Sequence, residues 1–125
     1  MKTLLTILAC ALTLTMTSSL NAADGPYRHV VLFKFKDAAT KEQIKSVEAA
    51  FLALPSKINT IQSLEWGTNV SPEKHDEGFT HCFFVTFKDK AGVEVYLPHA
   101  EHKAFGALLH PILEKVIVID YMAQK

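Results

Sequence analysis

The sequence predicts a small α+β domain whose strands and main helices run in the order β-α-β-β-α-β. Three observations carry that expectation. Stretches rich in β-branched and aromatic residues at 29–36, 61–70, 79–88 and 116–121 are separated by segments with amphipathic helical spacing. Capping and helix-breaking residues stand at the boundaries between them. The 125 residues, 49% of them hydrophobic, suffice for one core and one domain. Thirteen Lys and Arg balance thirteen Asp and Glu, so no charge excess points to nucleic acid or an anionic membrane as partner. A charged fraction of 21% argues against disorder.

The first segment reads as a sorting signal. Lys2 supplies a positive start, Leu4 to Leu14 an apolar stretch, and Thr15 to Ala23 a small, polar tail, which is the layout of a secretory signal peptide. The expected division is a signal at 1–22 and a domain at 23–125, cut after Ala22 or Ala23, with the product exported to a periplasm or beyond. The apolar stretch is shorter than a membrane anchor requires. Ile7-Leu8-Ala9-Cys10 has the form of a lipoprotein box but comes early, and the apolar stretch runs on past it. Cleavage leaves Cys82 as the only thiol, so no internal disulfide is expected, and its setting between Phe79 and Val85 points to burial rather than catalysis.

His29 to Lys36 forms the first strand, packed on both faces for its first half. Thr40 and Gln43 have the spacing of a capping box. Ile44, Val47, Phe51 and Leu54 then share a helical face, and Pro55 is expected to end the helix by disfavouring helical geometry at Leu54. The second strand runs from Ile61 to Val70, with Leu64 and Trp66 on one side, and residues 71–78 make a polar connection. In the third strand, Phe79, His81, Phe83, Val85 and Phe87 alternate with Thr80, Cys82, Phe84 and Thr86, so both faces are partly apolar. A short helix is expected within 89–97, with Pro98 as the first residue of the next. Ala104, Phe105, Leu108 and Leu109 form the apolar side of that helix until Pro111, and Val116 to Tyr121 is the last strand.

Two helices cover one face of a four-stranded sheet, yet Val30, Leu32, Cys82, Phe84, Val116 and Val118 are read as a second apolar layer on the other. A second copy of the sheet is the simplest cover, so a homodimer is expected.

The stretch from Arg28 to Tyr121 resembles the stress-responsive A/B barrel domain family. The likeness rests on His29 to Asp37, on Trp66-Gly67 and Glu77-Gly78-Phe79-Thr80-His81, and on Tyr96 to His102 followed by Leu113 to Tyr121. It implies a ferredoxin-like β-α-β-β-α-β subunit that pairs into a dimeric α/β barrel. One branch, the plant polyketide cyclase that makes olivetolic acid, is more similar still. That resemblance implies His102 as general base, Tyr96 as its assistant, and His29 and His99 near the pocket. A tyrosine of the branch is Phe51 here, and the branch's His-Pro-x-His is replaced by Pro98-His99-Ala100-Glu101-His102.

The chemistry of these side chains supports the same set. A histidine titrates near neutrality and can remove a proton beside a carbonyl, and a tyrosine can donate a hydrogen bond to the developing enolate. His29 shares strand parity with Val31, Phe33 and Phe35, so it should face the helices. A pocket for a small hydrophobic or aromatic ligand is then expected around His29, Tyr96 and His102, with Phe33, Phe51 and Phe83 as apolar walls. His102 could instead simply hydrogen-bond within a packed helix start. His99 and His102 with His29 or Glu101 make an incomplete metal site, so no metal and no cofactor is expected. His75, His81 and His110 show no constellation, and Trp66 reads as packing. Export separates the protein from cytoplasmic thioester-linked polyketides. The functional expectation is therefore an exported homodimer with a small-molecule or stress role; an acid–base cyclase or lyase is the second reading and a ring-forming structural protein the third.

Overall fold

A computed structural model describes residues 25–125, and the segment read as a signal peptide lies outside them. The elements are β1 (Tyr27–Phe35), α1 (Lys41–Lys57), β2 (Ile61–Thr68), β3 (His81–Phe87), α2 (Lys90–Tyr96), α3 (Ala100–Leu109), a single 3₁₀ turn at His110–Ile112, and β4 (Leu113–Met122).

Local chemistry explains the helix starts. At α1 the Gln43 amide donates to the Thr40 hydroxyl at 3.2 Å and the Thr40 amide to the Gln43 side chain at 2.9 Å, completing the expected capping box. Asp89 caps α2 by accepting from the Gly92 amide. Two expectations need correction. Pro55 lies inside α1, which continues to Lys57. So near the end, a proline forfeits little of the helix ladder, and the last turn is held by Ile58 N–H to the Leu54 carbonyl and by the Ser56 hydroxyl to the Ala53 carbonyl, both at 2.8 Å. Likewise Pro98 precedes α3 rather than opening it: His99 is the cap, its Nδ1 accepting the Glu101 amide at 3.1 Å.

The four strands form one antiparallel sheet in the order β2-β3-β1-β4. Phe33 lies opposite Val116, Val31 opposite Val118 and His29 opposite Asp120, while Leu32 and Val30 lie opposite Ile117 and Ile119. This corrects the composition of the second apolar layer. Val116 and Val118 share the helix-side face, and the outer layer is Val30, Leu32, Cys82, Phe84, Ile117 and Ile119. Because residues 116–119 are apolar at every position, their alternation carries no mark of parity, and only pairing with β1 assigns the faces.

The core lies between sheet and helices, built on Phe33, Phe51, Phe83, Val85, Phe87 and Tyr96, with Val47, Leu54 and Phe105 above. Phe51 and Phe83 stack with centroids 4.1 Å apart. The helix layer is displaced toward one edge: α1 packs on β2, α2 on β3, and α3 on α1, leaving β4 uncovered. Among the described residues no helix is long and apolar enough to cross a membrane.

Candidate functional site

The uncovered side of the helix layer holds a cavity of about 230 Å³. Its apolar wall includes Val31, Phe33, Phe51, Phe105, Val116 and Val118, and its polar groups are His29, Tyr96, His102, His110 and Asp120. Strand geometry sets this division. Positions 29, 31 and 33 of β1 and their partners 120, 118 and 116 of β4 project to the helix side, polar at one end and apolar beyond it.

His29, only 5% exposed, faces the helices as its parity requires. Its Nδ1 lies 2.7 Å from Asp120 Oδ1. A carboxylate only accepts, so Nδ1 carries the proton and Nε2 is the ring's remaining acceptor in the neutral form. The second Asp120 oxygen accepts from the Tyr27 hydroxyl, also at 2.7 Å. That hydrogen bond, with burial and the charges of Asp120 and Glu94, pushes the Tyr27 phenol up to about 12.

Tyr96, at the end of α2, is buried, with its ring centroid 5.6 Å from His29 and 4.4 Å from His102. Burial raises its phenol above the ordinary range, which keeps the hydroxyl neutral as a donor. His102 Nδ1 lies 3.0 Å from the Leu97 carbonyl. A carbonyl only accepts, so this bond again assigns the proton to Nδ1 and leaves Nε2 with a lone pair. Burial lowers the affinity of His102 for a second proton, and His29 and His110 add to that effect, while the bond to Leu97 opposes it. The result is a neutral imidazole held beside a neutral phenol, a pair suited to taking a proton from carbon while hydrogen-bonding an oxygen.

The cavity thus brings together five of the residues singled out from sequence: His29, Tyr96, His102, Phe33 and Phe51. The other two stand off its lining. His99 is committed to capping α3, and Phe83 lies behind Phe51 against Trp66, 5.5 Å away. Sequence reasoning missed Asp120, Tyr27 and His110. A signal for Asp120 was present, since a lone carboxylate in an otherwise apolar strand needs a partner.

His81, placed in no constellation by sequence, is buried and bonds Glu48 of α1 and the Thr80 hydroxyl, each at 2.8 Å, tying α1 to β3. A larger hollow of about 580 Å³ opens on the outer sheet face, with Leu32, Cys82 and Ile117 as floor and the β2–β3 loop as wall. Burial first, and then Glu65, pushes the Cys82 thiol up, away from a reactive thiolate. Chemistry therefore favours the smaller cavity, where the acid–base groups converge. Among the described residues no three His, Cys, Asp or Glu side chains are grouped as a metal ion would require.

Comparison with known proteins agrees with this architecture. Residues 27–123 match the model of the stress responsive A/B barrel domain. The stress-response A/B barrel domain-containing protein HS1 of Arabidopsis thaliana is 37% identical over 99 residues, 79% of this chain and 91% of that protein. An olivetolic acid cyclase of Cannabis sativa is 30% identical over 98 residues, 78% of this chain and 97% of the cyclase. A dimeric protein of unknown function and ferredoxin-like fold from Bacteroides fragilis superposes with a TM-score of 0.66 at 31% identity, over 81% of this chain and 99% of that one.

Proposed function

The chain belongs to the stress-responsive A/B barrel domain family, and on that premise we propose that it is an exported homodimer that binds a small hydrophobic or aromatic molecule between sheet and helices. One observation carries the binding reading: a cavity walled by Phe33, Phe51 and Val118 ends in hydrogen-bonding groups whose orientation is already held. An apolar ring fits the wall, and an oxygen of the ligand is met by Tyr96, His29 and His102. The signal-like pattern at 1–22 supports export. The outer apolar layer and the dimeric relative from Bacteroides fragilis support the homodimer.

The orientation of His102 favours a second reading, an enzyme of the cyclase or lyase type needing no cofactor. In an intramolecular aldol closure, His102 Nε2 takes a proton from carbon beside a carbonyl, and the electron pair moves onto that oxygen, where Tyr96 donates a hydrogen bond. The enolate carbon then attacks a second carbonyl of the same molecule. A ring C–C bond forms, and the new alkoxide recovers the proton from His102. His29, held by Asp120, orients the oxygen end of the substrate.

Native mass spectrometry of the protein isolated from its own source tests the first reading. A processed dimer retaining one organic molecule per subunit is expected; an empty protein that also binds no single-ring phenol or aldehyde sinks the pocket. His102→Ala separates the two readings, because it should abolish product formation by an enzyme yet leave ligand binding largely in place.

A further inference from the structure

β4 is bare on both faces. Val116 and Val118 on the helix side are 43% and 51% exposed, and Ile117 and Ile119 on the outer side 37% and 55%. The helices stop short of this strand, so the pocket is open along it, with Val116, Val118 and Asp120 as its floor there. A partner sheet laid on the outer face would cover Ile117 and Ile119 but leave that opening, and ten residues of strand edge, unclosed.

The topology determines what can close it. In the order β2-β3-β1-β4 the free edges are β2 and β4, and three antiparallel steps make them run in opposite directions. A twofold axis along the strands turns a second sheet face to face and reverses its lateral order while preserving strand direction. The partner's β2 edge then meets β4 antiparallel on each side, and both free edges are satisfied. The helix over β2 is α1. On α1, Ala50 and Lys57 face the groove toward α3, whereas Leu52, 44% exposed, stands on the opposite side, above the β2 edge. In this arrangement Leu52 overhangs the Val116 and Val118 of the other copy.

We propose that each pocket is completed by the other subunit: the β2 edge and Leu52 of one copy close the β4 side of the cavity in its partner. The inference rests on the pocket and the dimer proposed above, and it makes assembly a condition of tight binding rather than of folding alone.

Binding of 4-nitrophenol to the full chain, followed by its absorbance and paired with sedimentation, tests the idea. The wild-type dimer is expected to bind. Ile119→Lys, which charges the outer layer without touching the pocket lining, should give monomers that bind at least tenfold more weakly. Leu52→Glu changes an exposed side chain, so it should fold and still dimerise while losing at least tenfold in affinity. If Ile119→Lys does not fold, Leu52→Glu decides alone. Wild-type affinity in the Leu52→Glu dimer, or in folded Ile119→Lys monomers, overturns the shared site while leaving the pocket standing. A wild-type dimer that binds no 4-nitrophenol removes the pocket reading and this inference with it.

Discussion

Asp120 is the residue on which the polar end of the cavity turns, because one carboxylate accepts from both His29 and Tyr27 at 2.7 Å. Two donors fix its plane, and the plane fixes the tautomer of His29. Tyr27 provides the readout: its phenol should ionise near pH 12 in ultraviolet titration, and Asp120→Asn should bring that midpoint back toward the ordinary value of about 10. His102 provides a second. Because burial lowers its proton affinity in the native state, the unfolded chain takes up the proton first as pH falls. The stability contributed by neutral His102 is present above about pH 6.5 and is lost as pH drops through the lower, native value. The melting temperature of the wild type should therefore fall more steeply below pH 6.5 than that of His102→Gln.

At the scale of elements, α1 matters most, since it supplies Phe51 to the pocket and Val47 and Leu54 to the core. Its start depends on reciprocal bonds between Thr40 and Gln43, and Thr40→Ala should cost about 1 kcal/mol in urea unfolding. Phe83 on β3 is wholly buried and backs Phe51. Phe83→Ala should cost about 3 to 5 kcal/mol, and because it removes the support behind a pocket wall it should also weaken ligand binding. The proline expectations failed here for one reason. Pro55 and Pro98 mark where a helix is weak, but the boundary itself is set by which neighbouring groups satisfy the terminal amides and carbonyls.

For the whole molecule, the outer layer of Val30, Leu32, Phe84, Ile117 and Ile119 is too apolar to remain in water. Sedimentation equilibrium at micromolar concentration should report twice the subunit mass, and a single-subunit mass would mean that another partner covers the sheet. Dimerisation and the pocket meet on β4, whose alternate side chains serve the two faces. If the other subunit completes the pocket as proposed, ligand affinity should depend on protein concentration, a coupling that a pocket enclosed within one subunit would lack.

Much of this was legible in the chain. Thr40 and Gln43 announced the start of α1, and the spacing of Val47, Phe51 and Leu54 announced its buried face, because capping and helical periodicity are local properties. The strand parity of His29 with Val31 and Phe33 likewise placed the histidine under the helices, and the family pattern around Tyr96 and His102 directed attention to two helices that line the cavity. Only the tertiary structure decided the rest. The faces of Val116 and Val118 followed from register against β1, since an unbroken apolar run has no parity of its own. Asp120 became part of the site because an antiparallel pairing brings it to His29 across 91 residues of chain. Periodicity reports what each segment can bury; which distant partner it meets depends on pairing energies summed over the whole sheet.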